Sequence, residues 1–100
     1  MGGISWRIGQ ALLERTLHDA SGRIVNPNLA EYLVPVHADV RKMEAILIGE
    51  ADGLVNPLGA KGLGELGICG APAAIANAIF HATAFRARDL PVTPEVFMRT

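Results

Sequence analysis

The first residues of the chain repeat apolar side chains at helical spacing. The apolar residues that fall on one helical face, or widen it, are Ile4, Trp6, Ile8, Ala11, Leu12, Leu13 and Leu17. Apolar positions three and four residues apart lie on the same side of a helix. The pattern predicts an N-terminal helix of about four turns. Since no N-cap residue precedes it, we expect the natural polypeptide to begin further upstream.

Short extended segments follow the predicted helix. Residues 19–23 predict a turn, and Asn28 is expected to cap a second, short turn. Residues 36–40 and 43–48 carry Val and Ile among mostly apolar side chains, which predicts two short strands. The apolar side chains of the second strand are Met43, Ala45 and Leu47 on one side, and Ile46 and Ile48 on the other. Apolar residues on both sides predict a strand that is buried on both faces.

A glycine-rich loop over residues 53–67 separates the strands from an alanine-rich helix. Pro72 suits the first turn of this helix, where its missing N–H is not needed. Ile75 and Ile79 share the apolar face of the helix with several alanines. Residues 93–95 then predict the start of a frayed tail. The order of helix, short strands, glycine loop and C-terminal helix predicts an α+β fold with no βαβ unit.

The composition indicates one domain or a piece of one. Half of the 100 residues are hydrophobic, which excludes a disordered chain. Such an apolar chain either packs a compact core rich in Ala and Leu, or has a surface that another subunit or a further part of the same chain covers. Composition alone favours neither alternative.

Charge and terminal sequence exclude several classes of function. Nine basic and ten acidic residues are dispersed along the chain, so there is no basic stripe that would bind nucleic acid. No apolar run reaches the roughly 18–20 residues of a membrane span, and the N-terminus lacks the regions of a signal peptide. The single cysteine, Cys69, can form no internal disulfide. These features predict a protein with neither a nucleic-acid nor a membrane partner.

Residues 59–67 are the strongest candidate for chemistry, because they combine glycines with one lysine and one glutamate. Residues 62–67 match G-x-G-x-x-G, but no clean strand precedes them, so a dinucleotide site is rejected. Lys61 is not followed by the Ser or Thr of a P-loop. A glycine loop that leads into a helix can bind an anion through free N–H groups, with Lys61 as an added cation. The equal alternative is a tight connection in which the glycines only serve packing.

Glu65 is the acidic residue of this loop and has no obvious structural task. A carboxylate among glycines, with no opposite charge directly beside it, suits a general base. The three histidines, His18, His37 and His81, show no metal-ligand spacing, and no metal ligand is predicted. Cys69 is interpreted as a small buried residue rather than a reactive thiol.

Five segments together resemble the C-terminal end of the molybdenum-binding subunit of the xanthine dehydrogenase and aldehyde oxidase family. They are residues 2–14, similar to G-G-x-x-x-G-I-G-Q-A-L-x-E, then residues 26–32, residues 61–65 with the sequence K-G-L-G-E, residues 74–79 and residues 90–95. The segments occur in order and cover nearly the whole chain. Within the family the chain is most similar to bacterial aldehyde oxidoreductases that carry a molybdopterin cytosine dinucleotide.

The resemblance implies that Glu65 is the general base in the hydroxylation of an aldehyde or of an N-heterocycle such as xanthine. It implies that Lys61, Gly62, Leu63 and Gly64 contact the molybdopterin cofactor, chiefly through backbone N–H groups. It also implies electron transfer to iron–sulfur and FAD subunits or domains, for which this sequence has no ligands.

Molybdenum subunits of that family are several times longer than this chain. We therefore expect residues 1–100 to be the C-terminal portion of a molybdopterin-binding domain, which alone binds no cofactor and is inactive without the remainder of the subunit. The alternative is a cofactor-free, self-associating remnant or interaction module that forms a homo-oligomer. The complete enzyme is expected in the cytoplasm, or in the periplasm if a partner subunit carries it there.

Overall fold

The predicted N-terminal helix is present but shorter than its pattern suggested. The computed structural model describes residues 1–97, in which α1 spans Gly2–Leu12. The helix ends where the amides of Leu13 and Glu14 both donate to the carbonyl of Gly9, at 2.8 Å. Leu17 lies beyond this end because its amide instead donates to the side chain of Asn26, at 2.8 Å. A hydrogen-bond partner nine residues further along the chain therefore ends the helix about one turn early.

Residues 15–26 form a narrow antiparallel loop beside the end of α1. His18 and Ile24 form an isolated antiparallel bridge, and the predicted turn between them is confirmed. At its tip the Asp19 carboxylate accepts hydrogen bonds from the amides of Ser21 and Arg23, at 2.8 and 3.0 Å. The Ser21 hydroxyl also donates to this carboxylate. The hydroxyl bond contributes most, and together with the amide bonds it lowers the pKa of Asp19 below its usual value.

The middle of the chain contains turns rather than paired strands. The predicted turn at Asn28 is confirmed, since its side chain accepts a hydrogen bond from the Ala30 amide at 2.9 Å. Residues 36–39 form a turn and not the predicted strand, because the Asp39 carboxylate accepts from the Val36 amide at 2.9 Å. Residues 43–48 pair with no strand within residues 1–97. The α+β class thus stays a prediction.

The second helix, α2, spans Ala71–Thr83 and has Pro72 in its first turn, as expected. It ends at Ala84, whose φ of 58° turns the chain away. A 3₁₀ helix, Pro94–Val96, stands where the sequence predicted a frayed tail. The ring of Phe97 packs edge-on against Phe85, with the ring centroids 5.6 Å apart, which orders this end.

Most of the chain is arranged around α1. The amide of Val92 donates to the carbonyl of Ala11 at 2.7 Å, and both residues are buried. A Cβ atom on Gly3 would lie 2.8 Å from Ile68, so the chain before α2 rests directly on the helix backbone. Helix α2 also contacts α1. Close backbone approach thus joins segments that are distant in sequence.

The core within residues 1–97 is small. Its buried apolar residues are Ala11, Ile68 and Val92, and no large side chain there is fully buried. The radius of gyration is 17.7 Å, whereas a compact domain of this length has about 13 Å. Large apolar side chains are exposed instead, among them Ile48 at 90% and Leu54 at 99%. Of the two alternatives left by composition, the described residues therefore favour the covered surface over the compact core.

Gly9 is the position on α1 where an added methyl group would be least tolerated. It is buried, and a Cβ there would lie 2.6 Å from Pro35. We expect Gly9→Ala to lower the free energy of unfolding by about 1–3 kcal/mol through overpacking. Gly2→Ala is the matched control, because a Cβ at Gly2 meets no atom within 4 Å, and alanine favours the helix. Thermal unfolding of both variants measures the difference, and equal midpoints would contradict the packing described.

Asn26 is the buried polar residue that ties the chain after α1 to residues 15–17. Its side-chain oxygen accepts from the Leu17 amide at 2.8 Å, and its nitrogen donates to the Arg15 carbonyl at 2.7 Å. Asn26→Ala leaves those backbone groups without partners, each at a cost of about 1–3 kcal/mol. Hydrogen exchange should therefore accelerate across residues 15–26. With the exposed control Asn28→Ala, acceleration should be confined to residues 28–32.

Candidate functional site

The glycine loop presents a row of free backbone amides. Within residues 1–97, the N–H groups of residues 61–65 donate no hydrogen bond. The loop then closes into a turn, in which the amide of Leu66 donates to Leu63 at 3.1 Å and that of Ile68 donates to Glu65 at 3.0 Å. Successive unpaired amides form a site that favours negatively charged or hydrogen-bond-accepting groups.

The glycines of the loop differ in what they contact. A Cβ on Gly62 or Gly64 would meet nothing within 4 Å among residues 1–97, whereas a Cβ on Gly67 would lie 3.2 Å from Ile4. Packing therefore accounts for Gly67, which rests on α1. It does not account for Gly62 and Gly64, where the missing side chains leave the backbone open to approach. The ligand-binding alternative is favoured at these two positions.

Glu65 lies in the middle of the turn and is exposed. Its carboxylate has no hydrogen-bond or ion-pair partner in the described part of the chain. A free carboxylate next to open glycine backbone is available to accept a proton from a bound group. Glu65 directly follows the unpaired amides of residues 61–64, and the roles of these residues stay a prediction.

Lys61 is placed differently from the expectation of a free cation. Its ammonium group lies 3.2 Å from the carboxylate of Glu50 and 3.5 Å from that of Asp52. Two acids therefore already balance the charge of Lys61 within residues 1–97. Sequence reasoning missed both acids, since they precede Lys61 by about ten residues, in a stretch without periodicity.

Asn56 is a second residue that sequence reasoning missed. Its side-chain oxygen accepts from the amides of Leu58 and Ala60, at 3.0 and 3.2 Å, and its nitrogen donates to the Ala60 carbonyl at 2.6 Å. One side chain thus holds the backbone immediately before Lys61. The signal was the Asn-Pro pair at positions 56–57, because asparagine before proline commonly bonds to backbone two residues on.

A groove of about 460 Å³ lies beside the loop, between the start of α1 and residues 44–47. Leu63, Gly64, Leu66 and Gly67 line one wall of the groove, and Glu65 is not among the lining residues. The groove is mostly apolar. It therefore accepts apolar groups more readily than the anionic groups that suit the free amides.

The other candidate residues, Cys69 and the three histidines, lie outside the glycine loop. Cys69 was expected to be buried, but it is exposed in the bend that precedes α2. His18, His37 and His81 are exposed, and residues 1–97 contain no group of three side chains that could hold a metal ion. No helix in the described residues is long and apolar enough to cross a membrane.

Comparisons with known proteins identify the relatives of this chain. No family profile matches it. The aldehyde oxidoreductase molybdenum-binding subunit PaoC of Escherichia coli is 47% identical over 94 residues, which are 93% of this chain and 13% of that subunit. The xanthine dehydrogenase molybdenum-binding subunit of Escherichia coli O157:H7 is 39% identical, over 94% of this chain and 12% of that subunit. Over most of its length the chain is similar to molybdenum-binding subunits of the xanthine dehydrogenase and aldehyde oxidase family.

The predicted resemblance to this family of molybdenum-binding subunits is thereby confirmed. Another relative, the 6-hydroxypseudooxynicotine dehydrogenase complex subunit gamma of Paenarthrobacter nicotinovorans, is 41% identical over 92% of this chain and 12% of that subunit. The chain thus spans about an eighth of the length of the curated relatives that it matches.

A solved structure of an oxidoreductase is similar in fold to this chain. Quinoline 2-oxidoreductase from Pseudomonas putida 86 matches with a TM-score of 0.83 and 34% identity, over 98% of this chain and 13% of that chain. The open arrangement around α1 is therefore also the arrangement of a segment within a much longer polypeptide. A segment of a longer polypeptide does not need a large core of its own, which is consistent with the few buried side chains of this chain.

Proposed function

We propose that this chain is part of the active site of a molybdenum hydroxylase, in which Glu65 is the general base. The observation that carries the proposal is the free Glu65 carboxylate beside the unpaired amides of residues 61–65. This arrangement occurs in a chain related to molybdenum-binding subunits. The carboxylate accepts a proton during hydroxylation, while the amides hold the cofactor in place.

The residues of the loop fit a molybdopterin cofactor. Lys61, Gly62, Leu63 and Gly64 offer N–H groups with no internal partner, and Gly62 and Gly64 leave room for a planar or anionic group to approach the backbone. When bound, the cofactor supplies the redox chemistry that amino-acid side chains lack. The cytosine dinucleotide form is part of this proposal, because the first relative named above is an aldehyde oxidoreductase.

The substrate class follows from the names of the relatives. Those names include an aldehyde oxidoreductase, a xanthine dehydrogenase and a quinoline oxidoreductase. An aldehyde or an electron-poor N-heterocycle is therefore the proposed substrate. Glu65 would remove a proton from the attacking nucleophile, which assists its bond formation to the electron-poor carbon of either substrate class.

The remainder of the molybdenum subunit is the proposed partner of the exposed apolar surface. Ile46, Ile48 and Leu54 are exposed at 81%, 90% and 99%, and burial of such side chains stabilises by about 1.5–3 kcal/mol each. Residues 43–48 would then form the predicted strand of an α+β domain against a strand from elsewhere in the subunit. Iron–sulfur and FAD partners, in the cytoplasm or periplasm, complete the proposed enzyme.

The base role of Glu65 is tested by Glu65→Gln in the complete enzyme. The amide keeps the size of the side chain but does not accept the proton, so turnover should fall by about 10²–10⁴-fold. The molybdenum content per polypeptide should not change, because the amides of residues 61–65 remain. Glu31→Gln is the control, since Glu31 is exposed and outside the loop. Near-normal turnover of Glu65→Gln would contradict the proposal that Glu65 is the general base.

The dependence on the rest of the subunit is tested with the 100-residue chain alone. We expect it to bind no stoichiometric molybdenum and to aggregate, or to fold only with its partner, because its core is small. Metal analysis and sedimentation measure these properties. A stable cofactor-free dimer would instead support the self-associating module, for which the exposed apolar side chains are the favouring observation. Stoichiometric molybdenum would contradict both.

A further inference from the structure

The geometry points to Lys61 and Asp52 as a positioning pair that fixes the glycine loop, with the Lys61 side chain directed to protein carboxylates rather than to the cofactor. Residues 50–61 are called the clamp loop below. The inference rests on the proposed role of Glu65, since it concerns how the loop that carries Glu65 is held.

The clamp loop is closed at its base by contacts of Asp52. The Asp52 amide donates to the Gly59 carbonyl at 3.4 Å, and one carboxylate oxygen of Asp52 accepts from the Leu54 amide at 3.1 Å. The other carboxylate oxygen of Asp52 lies 3.5 Å from the Lys61 ammonium. One side chain thus connects the start of the clamp loop to its end.

The interior of the clamp loop is ordered by Asn56. It binds the amides of Leu58 and Ala60 and the Ala60 carbonyl, and Gly59 provides the left-handed turn with φ of 64°. Because Ala60 is held, Lys61 enters the glycine loop from a fixed backbone position. The ion pair then fixes the Lys61 side chain as well.

The two acids contribute unequally to this pair. The Glu50 side chain is 76% exposed and the Asp52 side chain 30% exposed. Solvent screens an exposed ion pair strongly, so its contribution to stability is small. Asp52 is therefore the partner through which Lys61 acts, and Glu50 adds a secondary charge.

The Lys61–Asp52 pair affects Glu65 because it fixes one end of the glycine loop that carries Glu65. The glycine loop is fixed at one end by Lys61 and at the other by Gly67, which rests on Ile4 of α1. Between these anchors a Cβ on Gly62 or Gly64 would meet no atom within 4 Å among residues 1–97, and glycine has wide backbone freedom. Loss of one anchor would let the Glu65 carboxylate move away from the reacting group.

A double-mutant cycle in the molybdenum-loaded enzyme tests the pair. Asp52→Asn keeps the acceptor for the Leu54 amide but removes the charge, and Lys61→Met keeps most of the side-chain length. Each variant should lower kcat by about 10–100-fold, as expected for a misplaced catalytic group, with KM and molybdenum content unchanged. The double variant should be no slower than either single variant, because both remove the same interaction.

A second readout does not depend on turnover. Hydrogen exchange of the Leu66 amide, which donates to the Leu63 carbonyl within the glycine loop, should accelerate in both single variants to the same extent. The control is the pair Asp19→Asn with Arg23→Met, since this ion pair has a separation of 3.2 Å and lies outside the clamp and glycine loops. The control variants should leave kcat and exchange of the Leu66 amide unchanged.

Other outcomes separate this inference from the proposed function. Loss of molybdenum in Lys61→Met but not in Asp52→Asn, or additive losses of kcat, would overturn the clamp and make Lys61 a direct cofactor contact. Normal kcat in both variants, with Glu65→Gln inactive, would also overturn it and leave the base role intact. If Lys61→Met gives no soluble enzyme, the reversed pair Asp52→Lys with Lys61→Asp should recover turnover relative to either single reversal. No recovery would overturn the clamp.

Discussion

Close approach to the backbone of α1 is the constraint on which the arrangement of this chain depends. Gly3 and Gly9 let Ile68 and Pro35 lie where a Cβ atom would stand, and the Ala11 carbonyl receives a hydrogen bond from the segment after α2. Few apolar side chains are buried, so these contacts carry a larger share of the organisation than a core would in a compact domain. A helix with small residues at its contacts serves here as the support for three distant segments.

Sequence predicted both helices because their apolar spacing and the placement of Pro72 are local signals. The predicted length of α1 was wrong by about a turn, since Asn26, far along the chain, takes the Leu17 amide. Residues 36–39 were predicted as a strand but form a turn, where the Asp39 carboxylate binds a nearby amide. Side-chain to backbone hydrogen bonds compete with regular structure, and apolar patterns do not record them.

In the candidate site, too, residue types could be predicted from the sequence, but contacts between distant residues could not. Glu65 and the glycines around it were predicted from residue types, because a glycine-rich loop with one acid is visible in the sequence itself. The partners of Lys61 were not, since Glu50 and Asp52 reach it only after the intervening chain has turned back on itself. That reversal depends on Asn56, whose three hydrogen bonds have no periodic signature.

The openness of the glycine loop and the small core have a common explanation. Free amides at residues 61–65 and exposed apolar residues such as Ile48 are both groups without partners within residues 1–97, and the proposed cofactor and the proposed remainder of the subunit would supply those partners. Polar groups left without partners in a buried site are costly, so a loop prepared for a ligand stays open until that ligand binds. Fixed anchors on both sides of the loop limit the entropy lost when it binds, because only the residues between them remain to be ordered.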